Sequence, residues 1–257
     1  MARYQIVLAY DGTCFLGSQR QASFRTVQGE LEEALCKLGW VGQTVYLAGR
    51  TDTGTHARGQ VAAFDFEWIH GLETLHKALN FHLPQDMAVK EVNMVADTFH
   101  PRFDASSRRY HYQLLCADVR DPLRERYAWR VWPAVTDLTP LALIWPGRHD
   151  FAAFGRPPRT GGSSVRTVLS AEWRHCRDVW TFDIQADAFL YRMVRRLVYV
   201  QVSVGQGKLP IEALVQALDE RSGSIAGKRR EVKNRLPAGL APASGLTLVE
   251  VRYDNLI

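Results

Sequence analysis

The sequence predicts an α+β fold: two packed α/β units with largely antiparallel sheets forming a shared cleft. Three observations carry that prediction. Strand-like alternation and helix-like spacing are mixed without strict β-α-β alternation. The pattern runs through once and restarts after Phe99–Asp104. The chain has 257 residues, 46% of them apolar, enough for one large core or two compact ones. The units are expected at residues 1–98 and 99–257, with a brief linker near Val95–Ser106.

The elements follow in order. Tyr4, Ile6, Leu8 and Tyr10 alternate with Gln5, Val7 and Ala9 and end at the turn pair Asp11-Gly12, a first strand. Val27, Leu31, Ala34, Leu35 and Leu38 have helical spacing, with Thr26 as N-cap and Gly39 as the stop. Val45–Ala48 and Val61–Phe66 predict short strands on either side of a Gly- and Thr-rich loop, Gly49–Gly59. A helix over Thr74–Phe81 stops before Pro84, and Ala88–Val95 fits a strand. The second unit repeats the mixture. It has a strand at Arg109–Leu115, a helix near Asp137–Trp145, a strand at Trp180–Ala186 and an apolar run at Met193–Val204 that suits helix or strand. Pro210 opens a helix at Ile211–Leu218, and Leu246–Tyr253 closes as a strand.

Composition excludes several classes. No stretch approaches the ~18 consecutive apolar residues of a membrane span, and Met1–Asp11 has no secretory core, so a cytoplasmic protein without membrane contact is expected. Cys14, Cys36, Cys116 and Cys176 form no C-x-x-C pair and are expected to be free thiols. The histidines show no H-x-x-x-H, so no metal site is expected. Gly205-Gln206-Gly207 and Gly223–Arg229 lack the spacing of nucleotide-binding loops. Lys and Arg number 32 against 27 Asp and Glu, a net charge of +5, and only six of the 32 are Lys. Residues 1–100 carry −3 and residues 101–257 carry +8. Arg-rich basic surface fits a polyanion, because the guanidinium fork pairs with phosphate and stacks on bases; a solvated basic face fits equally well.

The densest chemistry lies in Gly49-Arg50-Thr51-Asp52-Thr53-Gly54-Thr55-His56-Ala57, where a carboxylate, a cation, three hydroxyls and an imidazole share nine residues. Taken alone, Asp52 also fits an Asx turn. The segment resembles the GRTDAGVHA signature of the tRNA pseudouridine synthase A family. Other segments are similar to that family in the same order. They are Tyr10–Gln21, Thr26–Glu32, Phe99-His100-Pro101-Arg102-Phe103 followed by Arg109-Tyr110-His111-Tyr112, Ala188–Arg196, and Ala241-Pro242-Ala243-Ser244-Gly245-Leu246. The resemblance spans Tyr4 to Tyr253, nearly the whole chain. Two positions depart from the pattern. Ser18 stands where the family usually has Trp, with a change in packing or in an RNA contact expected. Tyr199 stands where it usually has Gly, with looser or shifted helix packing expected.

The resemblance implies a pseudouridine synthase fold and a reaction that breaks the uracil N1–C1′ bond, turns the base and rejoins it through C5, with no cofactor. It implies Asp52 as catalytic nucleophile, Arg195 as the accompanying cation, Tyr110 as a stacking ring or proton-transfer group, and Arg50 beside a flipped-out base. Read from the pattern alone, Tyr110 also fits a core strand position and Arg195 a basic helix face. His56 is expected to orient the loop. Phosphate contacts are expected from Arg102, Arg108 and Arg109 and from the Lys228–Arg235 run, Lys228, Arg229 and Arg230 above all. The substrate implied is tRNA, at the anticodon stem-loop, and the assembly a homodimer. A non-catalytic RNA-binding module and a small-molecule enzyme are the rival readings.

Overall fold

The computed structural model describes residues 1–219 and 236–254. The Lys228–Arg235 run, with Lys228, Arg229 and Arg230, lies outside the described residues. The chain divides into two compact units, Met1–Arg108 with Thr247–Ile257, and Arg109–Leu246.

In the first unit, β1 (Ala2–Tyr10) turns Tyr4, Ile6, Leu8 and Tyr10 into the core. It pairs antiparallel with β3 (His56–Phe66) on one side and with β4 (Met87–Val95) on the other. β2 (Tyr46–Leu47) is antiparallel to β3, and β10 (Leu246–Arg252) runs parallel to it with Thr247 opposite His56. α1 (Val27–Lys37) starts where expected: Gly29 N–H donates to Thr26 Oγ1 at 3.2 Å. α2 (Leu72–His82) buries Leu75 and Leu79 and packs on β4. One boundary differs from expectation. β3 begins at His56, not after Gly59, so the loop that carries Asp52 is shorter. Gly59 is no loop residue; a Cβ there would lie 2.2 Å from the Val249 carbonyl oxygen, so it is the close approach of β10 that requires glycine.

In the second unit the strands run β5 (Ser107–Cys116), β9 (Val179–Ala186), β8 (Val165–Cys176), β7 (Gly147–Asp150), and β6 (Trp129–Val131) lies parallel on β5. β8 and β9 form an antiparallel hairpin. β6, β7 and β8 escape the sequence reading because β6 and β7 are only three and four residues long and β8 carries exposed Glu172, Arg174 and His175. The expected helix at Asp137–Trp145 shrinks to α3 (Thr139–Ala142), since Pro146 stops propagation. Met193–Val204 resolves as helix α4 (Met193–Gly205), followed by α5 (Glu212–Asp219).

Two buried polar contacts lock this unit. Trp173 Nε1–H on β8 donates to Gln201 Oε1 on α4 at 2.8 Å, and Gln201 is fully buried. On the central strand, Asp183 is buried and accepts a bidentate pair from Arg109 (2.9 and 2.7 Å) together with Arg174 and His111. Burial pushes its carboxyl up, but the bonds from His111 and Arg109 outweigh that and hold it at about 2. Tyr199 lies parallel to Trp129 at 6.2 Å and covers Gly239, where a Cβ would fall 2.1 Å from the ring. The bulk that the helix gains at Tyr199 is thus taken up by a side-chain-free neighbour.

Candidate active site

The first unit holds the Asp52 loop between β2 and β3. Asp52 is half-buried and Arg50 exposed, two residues apart. A turn closes directly after the carboxylate: Thr55 N–H donates to Asp52 O at 3.0 Å, and Gly54 takes φ +78°, the left-handed value its position demands. Before it, all three polar atoms of Thr51 are bonded. Its N–H donates to Ser18 Oγ (2.8 Å), its carbonyl accepts from Ser18 N–H (3.1 Å), and its Oγ1 lies 2.8 Å from Tyr10 Oη. Gln60, fully buried on β3, clasps Gly49 through both amide atoms, donating to its carbonyl at 2.8 Å and accepting its N–H at 3.3 Å. Gly12 N–H donates to His56 Nδ1 at 3.0 Å, tying the loop exit to the end of β1. Burial pushes the Tyr10 phenol up, so the anchor stays neutral.

Tyr10 and Gln60 are supports of the loop that sequence reasoning did not show, while Ser18, singled out there as a departure, proves to be a third. Ser18 is fully buried beneath the loop and so is no surface contact. Gln60 does carry a signal. It is the polar residue in an otherwise small and apolar buried run, Ala57 to Ala63 with Arg58 aside.

The second unit holds Tyr110 and Arg195. Tyr110, on β5, is 9% exposed and meets Phe189 edge to face at 5.1 Å. Arg195, on α4, donates from Nε to the Ala241 carbonyl at 2.7 Å, and Ala241 N–H returns to the Arg195 carbonyl at 3.3 Å. Next to Ala241, the Pro242 carbonyl accepts from Tyr112 Oη at 2.7 Å. The two motifs around Arg195 and Ala241 are therefore joined to the strand that carries Tyr110. Burial pushes the Tyr112 phenol well up, against the pull of the Arg195 charge. Arg196 is spent on the Pro237 and Gly239 carbonyls at 2.6 and 2.9 Å.

The residues expected to meet phosphate are differently placed. Arg108 donates to the backbone carbonyls of Ala105 (3.0 Å), Ala48 (3.3 Å) and Arg102 (2.5 Å), which fastens the 102–105 turn to the residue before the Asp52 loop. Arg109 is bonded to Asp183, with a third of its side chain exposed. Arg102 is exposed, its guanidinium 5.9 Å from the Phe103 ring centre. Phe103 (69% exposed) lies tilted against His100 at 4.3 Å, and His100 meets Tyr46 at 5.3 Å, a row of rings with exposed Phe103 and Tyr46 at its ends. Sequence spacing cannot show this row, because Tyr46 sits far from the other two in the chain.

The family model described as tRNA pseudouridine synthase matches residues 143–254. Along the full chain, the tRNA pseudouridine synthase A of Chloroflexus aurantiacus is 38% identical, covering 98% of this chain and 89% of that protein. The chain belongs to the tRNA pseudouridine synthase A family. Relatives with the same description from Limosilactobacillus fermentum and Geobacter sp. (strain M21) are 37% and 34% identical, covering 99% of this chain each and 97% and 100% of their own length. Membership in the family accounts for the α+β architecture with its mostly antiparallel strands. The matched model covers Arg195 and the Ala241–Leu246 motif, and the full-length relatives cover the Asp52 loop and Tyr110 as well.

Proposed function

We infer that the chain isomerises uridine to pseudouridine in tRNA at the anticodon stem-loop, with Asp52 as the nucleophile. The observation that carries the reading is a half-buried carboxylate on a loop whose preceding residue has every polar atom bonded. Chemistry at C1′ of a nucleoside needs such a group, held in one direction and partly withdrawn from water. The N1–C1′ bond breaks, the base turns, the C5–C1′ bond forms, and the C5 hydrogen leaves as a proton while N1 gains one. No electrons are exchanged, so side chains suffice and no cofactor takes part.

Arg195 is the guanidinium that such a carboxylate asks for as its companion, and Tyr110 the ring on which uracil rests. Arg50, exposed and two residues before Asp52, has the planar group that can occupy the stack vacated by a flipped base. Arg102 over Phe103, with His100 and Tyr46, offers one cation and a row of rings to unpaired nucleotides. Arg108 and Arg109 reach phosphate only by what their internal bonds leave exposed. The working form is a homodimer in the cytoplasm.

Release of tritium from tRNA labelled at uridine C5, with pseudouridine mapping, tests the reading. Wild-type protein releases it at the anticodon stem-loop. Asp52→Asn binds tRNA with wild-type affinity and loses turnover on the order of a thousandfold or more. Full turnover in that variant rules the assignment out.

A further inference from the structure

Ser18 has no role in the chemistry as described, yet it is fully buried and bonded twice to the residue before Asp52. One bond is main-chain, Ser18 N–H to the Thr51 carbonyl at 3.1 Å. The other is not: Thr51 N–H donates to the Ser18 hydroxyl oxygen at 2.8 Å, so this contact depends on the side chain alone. Ser18 is itself seated. Its carbonyl accepts Gln28 N–H at 2.9 Å, one of the first-turn amides of α1 that have no partner inside the helix. A rigid helix start thus holds Ser18, and Ser18 holds Thr51.

We propose that Ser18 is a positioning residue for the isomerisation. Its hydroxyl, by accepting the Thr51 N–H, fixes the plane of the Arg50–Thr51 peptide. That plane sets how the chain leaves Arg50 and enters Thr51, and the Thr51–Asp52 peptide that follows, held at its carbonyl by Ser18 N–H, carries Asp52 from there. Without the hydroxyl, the amide is buried with its acceptor gone, and the loop relieves this by rotating the peptide toward another acceptor or water. Asp52 moves with it, and shifts near 1 Å at a reacting group are enough to cost about a hundredfold in rate. The proposal rests on the Asp52 reading. The Trp that the family usually has here donates only, so the bond from the Thr51 amide to this hydroxyl is particular to this chain.

The test compares Ser18→Ala with Asp52→Asn in single-turnover tritium release, tRNA binding, thermal unfolding and amide exchange of Thr51. In Ser18→Ala the rate constant falls about tenfold or more, the Kd for tRNA stays within about twofold, and the Thr51 amide exchanges about tenfold faster in folded protein. An unchanged rate, a parallel loss of rate and affinity, or an unchanged Thr51 exchange overturns the proposal. Should Ser18→Ala fail to fold, Ser18→Cys keeps the volume with a poorer acceptor. It is expected to lose about three- to fivefold in rate, and full rate there overturns the proposal equally. The two readings separate cleanly. If Asp52→Asn is inactive and Ser18→Ala is not impaired, only the role of Ser18 falls; if Asp52→Asn keeps its rate, the nucleophile assignment falls with it.

Discussion

At the scale of single residues, the same types do opposite work according to what surrounds them. Arg102 is exposed beside a ring, while Arg109 is bound into the second unit by Asp183, whose carboxyl is held at about 2. A carboxyl lowered from its ordinary value stabilises the folded state above that ordinary value and ceases to do so as the pH falls through about 2. Asp183 therefore supplies about 2 kcal/mol at neutral pH, a contribution that disappears between about pH 4 and pH 2. Asp183→Asn removes it and leaves Arg109 and His111 facing a neutral amide, with an expected loss of about 3 kcal/mol at pH 7. Urea unfolding followed by tryptophan fluorescence, with Trp173 and Trp180 on the hairpin that carries Asp183, reads this at pH 7 and pH 3. The variant should lose less stability than wild type on acidification; equal losses would mean that Asp183 is not the titrating group.

At the scale of elements, the start of α1 matters more than its length. Thr26 caps the helix, and the next amides, of Val27 and Gln28, donate to the Gly17 and Ser18 carbonyls at 3.4 and 2.9 Å. A helix end thus becomes a clamp on the segment beneath the Asp52 loop. Thr26→Ala is expected to cost about 1 kcal/mol, as caps do, and to lower the rate of isomerisation with little change in tRNA affinity. A stability loss without any change in rate would show that the clamp is structural only. This helix was legible in the sequence because cap, apolar spacing and stop agree over Thr26 to Gly39. β8 was not, because the exposed Glu172, Arg174 and His175 give it no clean alternation. Gly59 misled for a physical reason: glycine marks a turn and a close backbone approach alike, and only the partner strand distinguishes them.

For the whole molecule, contiguous motifs were legible in the sequence and long-range supports were not. Asp52, Tyr110 and Arg195 stand in contiguous motifs, whereas Ser18 with Thr51, Gln60 with Gly49, and Tyr46 with His100 are contacts between distant parts of the chain. The charge also divides, with −3 in residues 1–100 and +8 in residues 101–257, and a folded polyanion must meet that asymmetry. Binding of tRNA should therefore weaken linearly in log Kd against log salt, each phosphate contact adding roughly 0.7–0.9 to the slope. Arg102→Ala should lower the slope by about 1 and weaken binding regardless of which uridine is presented. Phe103→Ala should weaken binding by about fivefold or more with the slope intact, because stacking on a ring releases no counterion. Asp52→Asn should leave both untouched. Titrations of one tRNA at four or five salt concentrations measure all of these; if Phe103→Ala instead changes the sedimentation of the protein and not its affinity for RNA, the row of rings faces a second copy of the chain and not the substrate.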